Sequence, residues 1–111
     1  MDTQATVLAL AALAQESRLA IFRLLVEAGP EGVAATRIGD ALGIAPSSMS
    51  FHLKELLHAS LVTVRRVGRS MIYSANFDVM NALVGFLTEN CCGGNMCTPT
   101  RACRPSKKSK A

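Results

Sequence analysis

The spacing of apolar residues along the chain predicts four consecutive helices. Residues 3–14 are rich in alanine and leucine with almost no polar face, and residues 17–28 form a second helix that ends at Gly29. Apolar residues then recur at positions i, i+4, i+7 and i+8 over 34–42 and again over 46–59, which is the spacing of one helix face. The pattern therefore predicts a helical first half of the chain.

The last two of these helices are joined by the turn Gly43-Ile44-Ala45, and a short glycine-containing link of this kind is typical of a helix-turn-helix. The period then changes. Residues 61–67 and 70–75 are rich in residues that favour strands, and Gly68-Arg69 between them predicts a tight hairpin. A final helix is predicted over 77–90. The order of elements, α-α-α-α-β-β-α, indicates a mainly α fold with a β-hairpin, a winged helix-turn-helix.

Size and charge narrow the class of protein. The chain has 111 residues, half of them apolar, which is enough for one compact core but too little for an enzyme with a separate substrate domain. Residues 1–90 hold seven basic and eight acidic residues, whereas residues 91–111 add five basic residues and no acid. The net charge of +4 therefore comes mainly from the tail. Within the folded part, only residues 47–75 carry a basic excess, of +3.

The chain is not expected to have a membrane partner. Its longest wholly apolar run, Val7–Ala14, is far shorter than the ~20 residues of a membrane span. No basic residue precedes this run, so it lacks the cationic start of a secretory signal. We therefore expect a cytoplasmic protein whose cysteines are thiols.

The exposed face of the helix over 46–59 is expected to contact DNA. The N-terminal half of a recognition helix enters the major groove, where serine hydroxyls bond base edges or phosphates. Phe51 lies opposite the core stripe and either contacts thymine methyl groups or packs under the hairpin. His52 lies on the flank, where it either contacts a base or forms a hydrogen bond within the fold, and Lys54 is expected at a phosphate.

The hairpin supplies the second part of the predicted DNA surface. Arg65 and Arg66 are adjacent on a strand, so their side chains point to opposite faces of the sheet. At most one of them is therefore expected to contact the DNA duplex. Arg69 at the hairpin tip is expected at the DNA backbone or in the minor groove. The predicted DNA-contacting residues are Ser47, Ser48, Ser50, Phe51, Lys54, Arg66 and Arg69.

A single module of this kind contacts few phosphates, and the sequence predicts a homodimer that reads a two-fold site. The first helix is apolar nearly all round, so it is either a core helix or part of a dimer interface. The last helix carries a second apolar face made of Val79, Leu83, Phe86 and Leu87. We expect the dimer to form through these two helices.

Residues 7–90 resemble the ArsR family of winged-helix metalloid- and metal-responsive repressors. The stretch IAPSSMSFHLKEL at 44–56 carries most of the resemblance, and the wing VGRSMIY at 67–73 adds to it. Many members have Ser-Gln where this chain has Ala45-Pro46, which removes a usual cap and a usual polar DNA contact. The resemblance implies a transcriptional repressor that binds double-stranded operator DNA as a dimer and is not an enzyme.

The family's sensor sites differ in position, and two of them are missing here. The cysteine pattern of the best-known arsenic sensors would fall on residues 34–39, which contain no cysteine. The zinc-type site needs aspartate and histidine along the last helix, which offers Asp78 but no histidine. The resemblance implies a third variant, with a cysteine pair at the end of the last helix and one cysteine just beyond, here Cys91, Cys92 and Cys97.

The chemistry of these cysteines agrees with a soft ion. Neighbouring side chains on a helix diverge by about 100°, so Cys91 and Cys92 share an ion only if the chain leaves the helix, which Gly93-Gly94 permits. Three thiolates suit As(III) or Sb(III), whereas zinc prefers four ligands. Cys103 is either a fourth ligand for Cd(II) or Zn(II), or a bystander.

The predicted organisation is a DNA-binding and dimerisation domain over 1–90 and a basic tail over 91–111, with a sensor segment at 91–97 and disorder beyond it. The predicted function is repression that ends when As(III) binds. A thiol-based redox sensor and a Cd(II) or Zn(II) sensor on the same scaffold are the alternatives. A thiol-dependent arsenate reductase would need an activated cysteine in an anion-binding loop, and a metal chaperone would need no recognition helix.

Overall fold

A computed structural model of the chain describes residues 1–94. In this part the elements follow one another as predicted, with one strand added: α1 (Thr3–Leu13), α2 (Glu16–Ala28), β1 (Val33–Ala34), α3 (Ala35–Leu42), α4 (Pro46–His58), β2 (Val62–Val67), β3 (Ser70–Ala75) and α5 (Phe77–Leu87), then a 3-10 turn over Cys91–Gly94. The winged helix-turn-helix is confirmed. The last helix is shorter than predicted, because α5 ends at Leu87 rather than at residue 90.

The wing is a three-stranded antiparallel sheet in the order β1-β3-β2. Val67 pairs with Ser70 across the predicted two-residue turn, and Gly68 has the positive φ of 62° for which glycine is suited. The strand β1 was not predicted. It starts directly after Gly32, whose φ is +79°, and a Cβ on Gly32 would collide with the Tyr73 carbonyl and the Ser74 hydroxyl of β3. Glycine therefore lets β1 lie close against β3.

The core forms where α2, α3 and α4 meet the start of β2. Its largest fully buried side chains are Ile21, Leu25, Ile38, Leu56 and Leu61. Each of them stabilises the fold by roughly 1.5–3 kcal/mol relative to an exposed position. The helix-turn-helix is therefore held by the apolar stripes whose spacing predicted it.

The turn between α3 and α4 follows the predicted chemistry. Gly43 ends α3 in the left-handed conformation with φ 68°, and Pro46 occupies the first position of α4, where its missing N–H removes no helical hydrogen bond. Within residues 1–94, no single helix is long and apolar enough to cross a membrane, and α1 and α2 reach that length only as a pair bent by 103°.

Candidate functional site

The exposed face of α4 carries the predicted DNA-contacting residues of the recognition helix. Its buried face consists of Met49, Leu53 and Leu56. Ala45 precedes the helix and provides no side-chain cap, so the first N–H groups of α4 have no capping oxygen and can face an anion such as a phosphate. The predicted DNA-contacting residues of this helix are all exposed: Ser47, Ser48, Ser50, Phe51 and Lys54.

Phe51 is 56% exposed and is not among the side chains packed against the core. The alternative in which it packs under the hairpin is therefore wrong. Its ring meets the ring of His52 edge to face, with the centroids 5.7 Å apart. An aromatic ring held out in this way is available to the methyl group of a thymine.

His52 takes the second of the two roles considered for it, a hydrogen bond within the fold. Its Nδ1 lies 3.4 Å from Nη1 of Arg18 in the first turn of α2. The same guanidinium donates from Nε to the carbonyl of Ala12 near the end of α1, at 2.7 Å. Sequence reasoning missed Arg18, because its partners are 6 and 34 residues away and no local pattern connects them.

The three wing arginines differ in the groups to which their side chains are hydrogen-bonded. Arg65 donates from Nη2 to the carbonyl of Glu31 at 2.9 Å, which ties it to the loop before β1. Arg66 donates from Nε to the carbonyl of Gly68 at 3.2 Å, so its side chain follows the hairpin towards the tip. Arg69 is exposed at the tip itself. The predicted contact Arg66 is therefore held at the hairpin turn that contains Arg69, while Arg65 is held at the loop before β1.

A groove of about 470 Å³ lies between the helix-turn-helix and the strand β3. Apolar side chains such as Met49, Leu53 and Tyr73 line most of it, and Ser50 and Lys54 contribute polar groups from α4. The surface between recognition helix and wing is therefore concave and carries two of the predicted DNA contacts.

The predicted α1 face is exposed in the single chain, whereas the predicted α5 face is exposed only at Leu87, since Val79 and Phe86 are half-buried. On α1, Val7 and Leu10 are 59% and 42% exposed, and α1 packs on α5. On α5, Leu83 is buried inside the chain, whereas Val84 and Leu87 are 55% and 58% exposed. An apolar surface of this kind, shared by two adjacent helices, is typical of a protein interface.

The first two cysteines lie on a turn rather than on a helix. Because α5 ends at Leu87, the chain has left the helix before Gly93-Gly94, earlier than predicted. Cys92 has φ 56° and ψ 35°, and both cysteines are exposed. Because the two cysteines lie on this turn, their side chains do not diverge as they would on a helix, and their sulfurs lie 3.8 Å apart.

Cys92 is disulfide-bonded, and the nonbonded distance of 3.8 Å shows that Cys91 is not its partner. This bond departs from the expectation that the cysteines are thiols. Cys97, the third predicted ligand, and Cys103 lie outside the described residues. Within residues 1–94, no group of three or more His, Cys, Asp or Glu side chains is arranged to hold a metal ion.

Comparison with known proteins identifies relatives of this chain by sequence. A family model described as a helix-turn-helix domain matches residues 13–65. The chain is 36% identical over 77 residues to the uncharacterized HTH-type transcriptional regulator YceK of Bacillus subtilis, covering 68% of this chain and 76% of that protein.

Solved structures share the fold over most of the chain. An ArsR-like transcriptional regulator from Rhodococcus sp. RHA1 superposes with a TM-score of 0.71 at 24% identity, covering 82% of this chain and 83% of the other. A homodimeric winged helix-turn-helix DNA-binding domain from Mycobacterium bovis, a possible ArsR-family regulator, superposes with a TM-score of 0.63 at 27% identity, covering 86% and 89%.

Proposed function

The chain belongs to the ArsR-like family of winged helix-turn-helix transcriptional regulators. We propose that it is a homodimeric repressor, and that it leaves its operator when As(III) binds Cys91, Cys92 and Cys97. Its relatives are DNA-binding regulators, not enzymes. The observation that carries the proposal is the approach of the Cys91 and Cys92 sulfurs to 3.8 Å on the turn after α5.

This distance supports a shared ion. Two thiolates bound to a tetrahedral ion such as Zn(II) through bonds of about 2.3 Å lie about 3.8 Å apart, and the narrower bond angles at a pyramidal As(III) would bring them slightly closer. The turn therefore holds two soft ligands at a suitable spacing, and a third thiolate from Cys97 would complete a three-coordinate site of the kind that suits As(III) or Sb(III). Binding requires reduced sulfurs, so the disulfide of Cys92 must first be opened.

The proposed DNA surface consists of α4 and the wing tip. The serines and Phe51 of α4 would read the major groove, while Lys54, Arg66 and Arg69 would contact the phosphate backbone. The exposed apolar residues of α1 and α5 support a dimer that places two such surfaces on a two-fold site, as in homodimeric relatives.

The fold offers a route from the cysteine turn to the recognition helix. α5 runs from the cysteine end of the chain back to Asn76, which caps its first turn by accepting from the Val79 N–H at 3.3 Å. The Asn76 side chain also donates to the carbonyl of Ser60, just after α4, at 3.0 Å. A shift of α5 on ion binding would therefore reach the end of α4. Release of DNA requires that the ion bind the DNA-free conformation more tightly than the DNA-bound one.

The test is a set of DNA-binding titrations in the presence of a phosphine reductant. The probe is a duplex that the wild-type protein selects from a random-sequence library, and the added ions are arsenite, antimonite, Cd(II) and Zn(II). We expect arsenite to release wild-type protein and the matched variant Cys103→Ser, but not Cys91→Ser, Cys92→Ser or Cys97→Ser. If the Cys91 and Cys92 variants release DNA at the same arsenite concentration as wild type, the site assignment is wrong.

The disulfide of Cys92 favours a redox-sensing regulator as the second candidate. Two thiols would then lose two electrons and two protons to a peroxide, which is reduced, and the resulting disulfide would alter the end of α5. Under this function peroxide would release DNA without arsenite, reductant would restore binding, and Cys92→Ser would abolish the response. Release by arsenite alone, with the thiols kept reduced, would favour the metalloid sensor instead.

A further inference from the structure

We propose that Arg18 is a positioning residue for DNA recognition, because its guanidinium holds the recognition helix α4 against the end of α1. The inference rests on the proposed function, in which α4 reads DNA and α1 contributes to the dimer interface. It adds a residue that neither the helix-turn-helix nor the cysteine turn contains.

One side chain connects three helices. The backbone N–H of Arg18 donates to the side-chain oxygen of Gln15 at 2.9 Å, which fixes the first turn of α2. From this base the guanidinium donates to the carbonyl of Ala12 in α1 at 2.7 Å and reaches Nδ1 of His52 in α4 at 3.4 Å. Both arginine contacts are partly buried, so they are stronger than the same contacts in water.

The contact between Arg18 and His52 determines which ring nitrogen of the histidine carries the proton. A guanidinium has N–H donors and no acceptor, so Nδ1 of His52 must accept and the ring proton must lie on Nε2. The contact therefore selects one tautomer and one ring orientation next to Phe51. Lysine could not replace arginine here, because a single ammonium lacks the planar fork that serves two acceptors in different directions.

The consequence for DNA recognition is geometric. In a dimer, two recognition helices must enter successive major grooves about 34 Å apart. Their separation depends on how rigidly α4 is joined to the helices that form the interface. Arg18 supplies such a joint between α1 and α4, so its loss would loosen the match to two half-sites. Phosphate contacts, which tolerate small displacements, would change less.

The experiment compares Arg18→Met with Arg23→Met in the full-length protein. Both changes remove one arginine from α2 and keep an aliphatic side chain, but Arg23 is exposed. The probes are a duplex that wild-type protein selects from a random library and a duplex of arbitrary sequence. We expect Arg18→Met to lower the affinity ratio between the two duplexes roughly tenfold, and Arg23→Met to leave the ratio unchanged. Equal ratios for the two variants would overturn the proposal.

A second pair of variants covers the case in which Arg18→Met does not fold. His52→Asn retains an acceptor near the position of Nδ1, whereas His52→Ala removes it. We expect His52→Asn to keep more of the sequence preference than His52→Ala. The two behaving alike would contradict a role for the Arg18 contact.

A spectroscopic measurement separates this inference from the proposed function. The ¹⁵N chemical shifts of the His52 imidazole at mildly alkaline pH should report the Nε2–H tautomer in wild type and a mixture of tautomers in Arg18→Met. A mixture in wild type would overturn the contact. A wild-type protein that selects no duplex, but has the Nε2–H tautomer, would overturn the DNA-binding proposal and leave the contact in place.

Discussion

Asn76 donates from its side chain to the carbonyl of Ser60 at 3.0 Å, so the residue that caps α5 also holds the turn that follows α4. Ser60 has a positive φ of 62°, a conformation that a non-glycine residue rarely adopts. The backbone N–H of Asn76 strengthens the link by donating to the carbonyl of Leu61 at 2.8 Å. The end of the recognition helix and the beginning of the last helix are thereby joined.

Replacing Asn76 with alanine removes both the cap of α5 and the donor to Ser60. We expect Asn76→Ala to lower the free energy of unfolding by about 1–3 kcal/mol, as measured by urea denaturation. Asn76→Asp is the matched control, because aspartate keeps the oxygen that accepts from Val79 but cannot donate to Ser60. Its stability should lie between those of wild type and Asn76→Ala, and equal losses in both variants would show that the cap contributes nothing.

Gly32 and Gly29 form a natural pair for testing the approach of β1 to β3. Both have positive φ, of +79° and +84°, but only Gly32 has neighbours that a Cβ would strike. We expect Gly29→Ala to be destabilised by about 1–3 kcal/mol through backbone strain alone, because φ 84° and ψ −173° lie in a region that essentially only glycine adopts. Gly32→Ala should lose about 1–3 kcal/mol more through overpacking. Thermal unfolding of the two variants provides the comparison, and equal midpoints would contradict the packing at Gly32.

The exposed residues of α5 provide a test of the dimer. Val84→Glu and Leu87→Glu place a charge at positions that are 55% and 58% exposed in the single chain, so the monomer should keep its fold. Burial of that charge at an interface would be costly, and we expect sedimentation analysis to show monomers with weakened DNA binding. Val67→Glu is the control for the sedimentation measurement alone, since Val67 is similarly exposed, at 53%, but lies in the wing beside the proposed DNA contacts. A dimer that persists in both α5 variants would place the interface elsewhere.

Salt dependence distinguishes phosphate contacts from base contacts. If Lys54 and Arg69 each neutralise a phosphate, then Lys54→Gln and Arg69→Gln, which each remove two charges from the dimer, should each reduce the slope of log affinity against log salt concentration by about 2. Phe51→Ala should leave this slope unchanged and relax the preference for thymine at one position. Arg23→Gln, which removes an exposed charge of α2, serves as the control. Slopes that do not differ from those of Arg23→Gln would remove Lys54 and Arg69 from the DNA surface.

Most of the fold follows from local patterns. The apolar spacing over residues 34–42 and 46–59 predicts α3 and α4, and Gly43 and Pro46 mark the turn between them. The prediction succeeds there because the same residues determine the helix, its end and its buried face. It fails at Val33–Ala34, since a strand of two residues has no period of its own and forms only because β3 lies beside it.

The candidate site, like the fold, has some features that follow from the sequence and others that depend on the folded backbone. Which cysteines and serines are available is a property of the sequence, and so is the exposed face of α4. The approach of the Cys91 and Cys92 sulfurs to 3.8 Å depends on a turn with left-handed residues after α5 has ended.

By itself, then, the sequence determined the five helices, the hairpin, the exposed face of α4 and the presence of two cysteines after α5. Tertiary structure decided that Arg18 meets His52 across 34 residues and that Asn76 bridges α4 and α5. The physical reason is that helical and strand periods are set by neighbours within a few residues. A hydrogen bond between distant side chains exists only after the core has brought their backbones together.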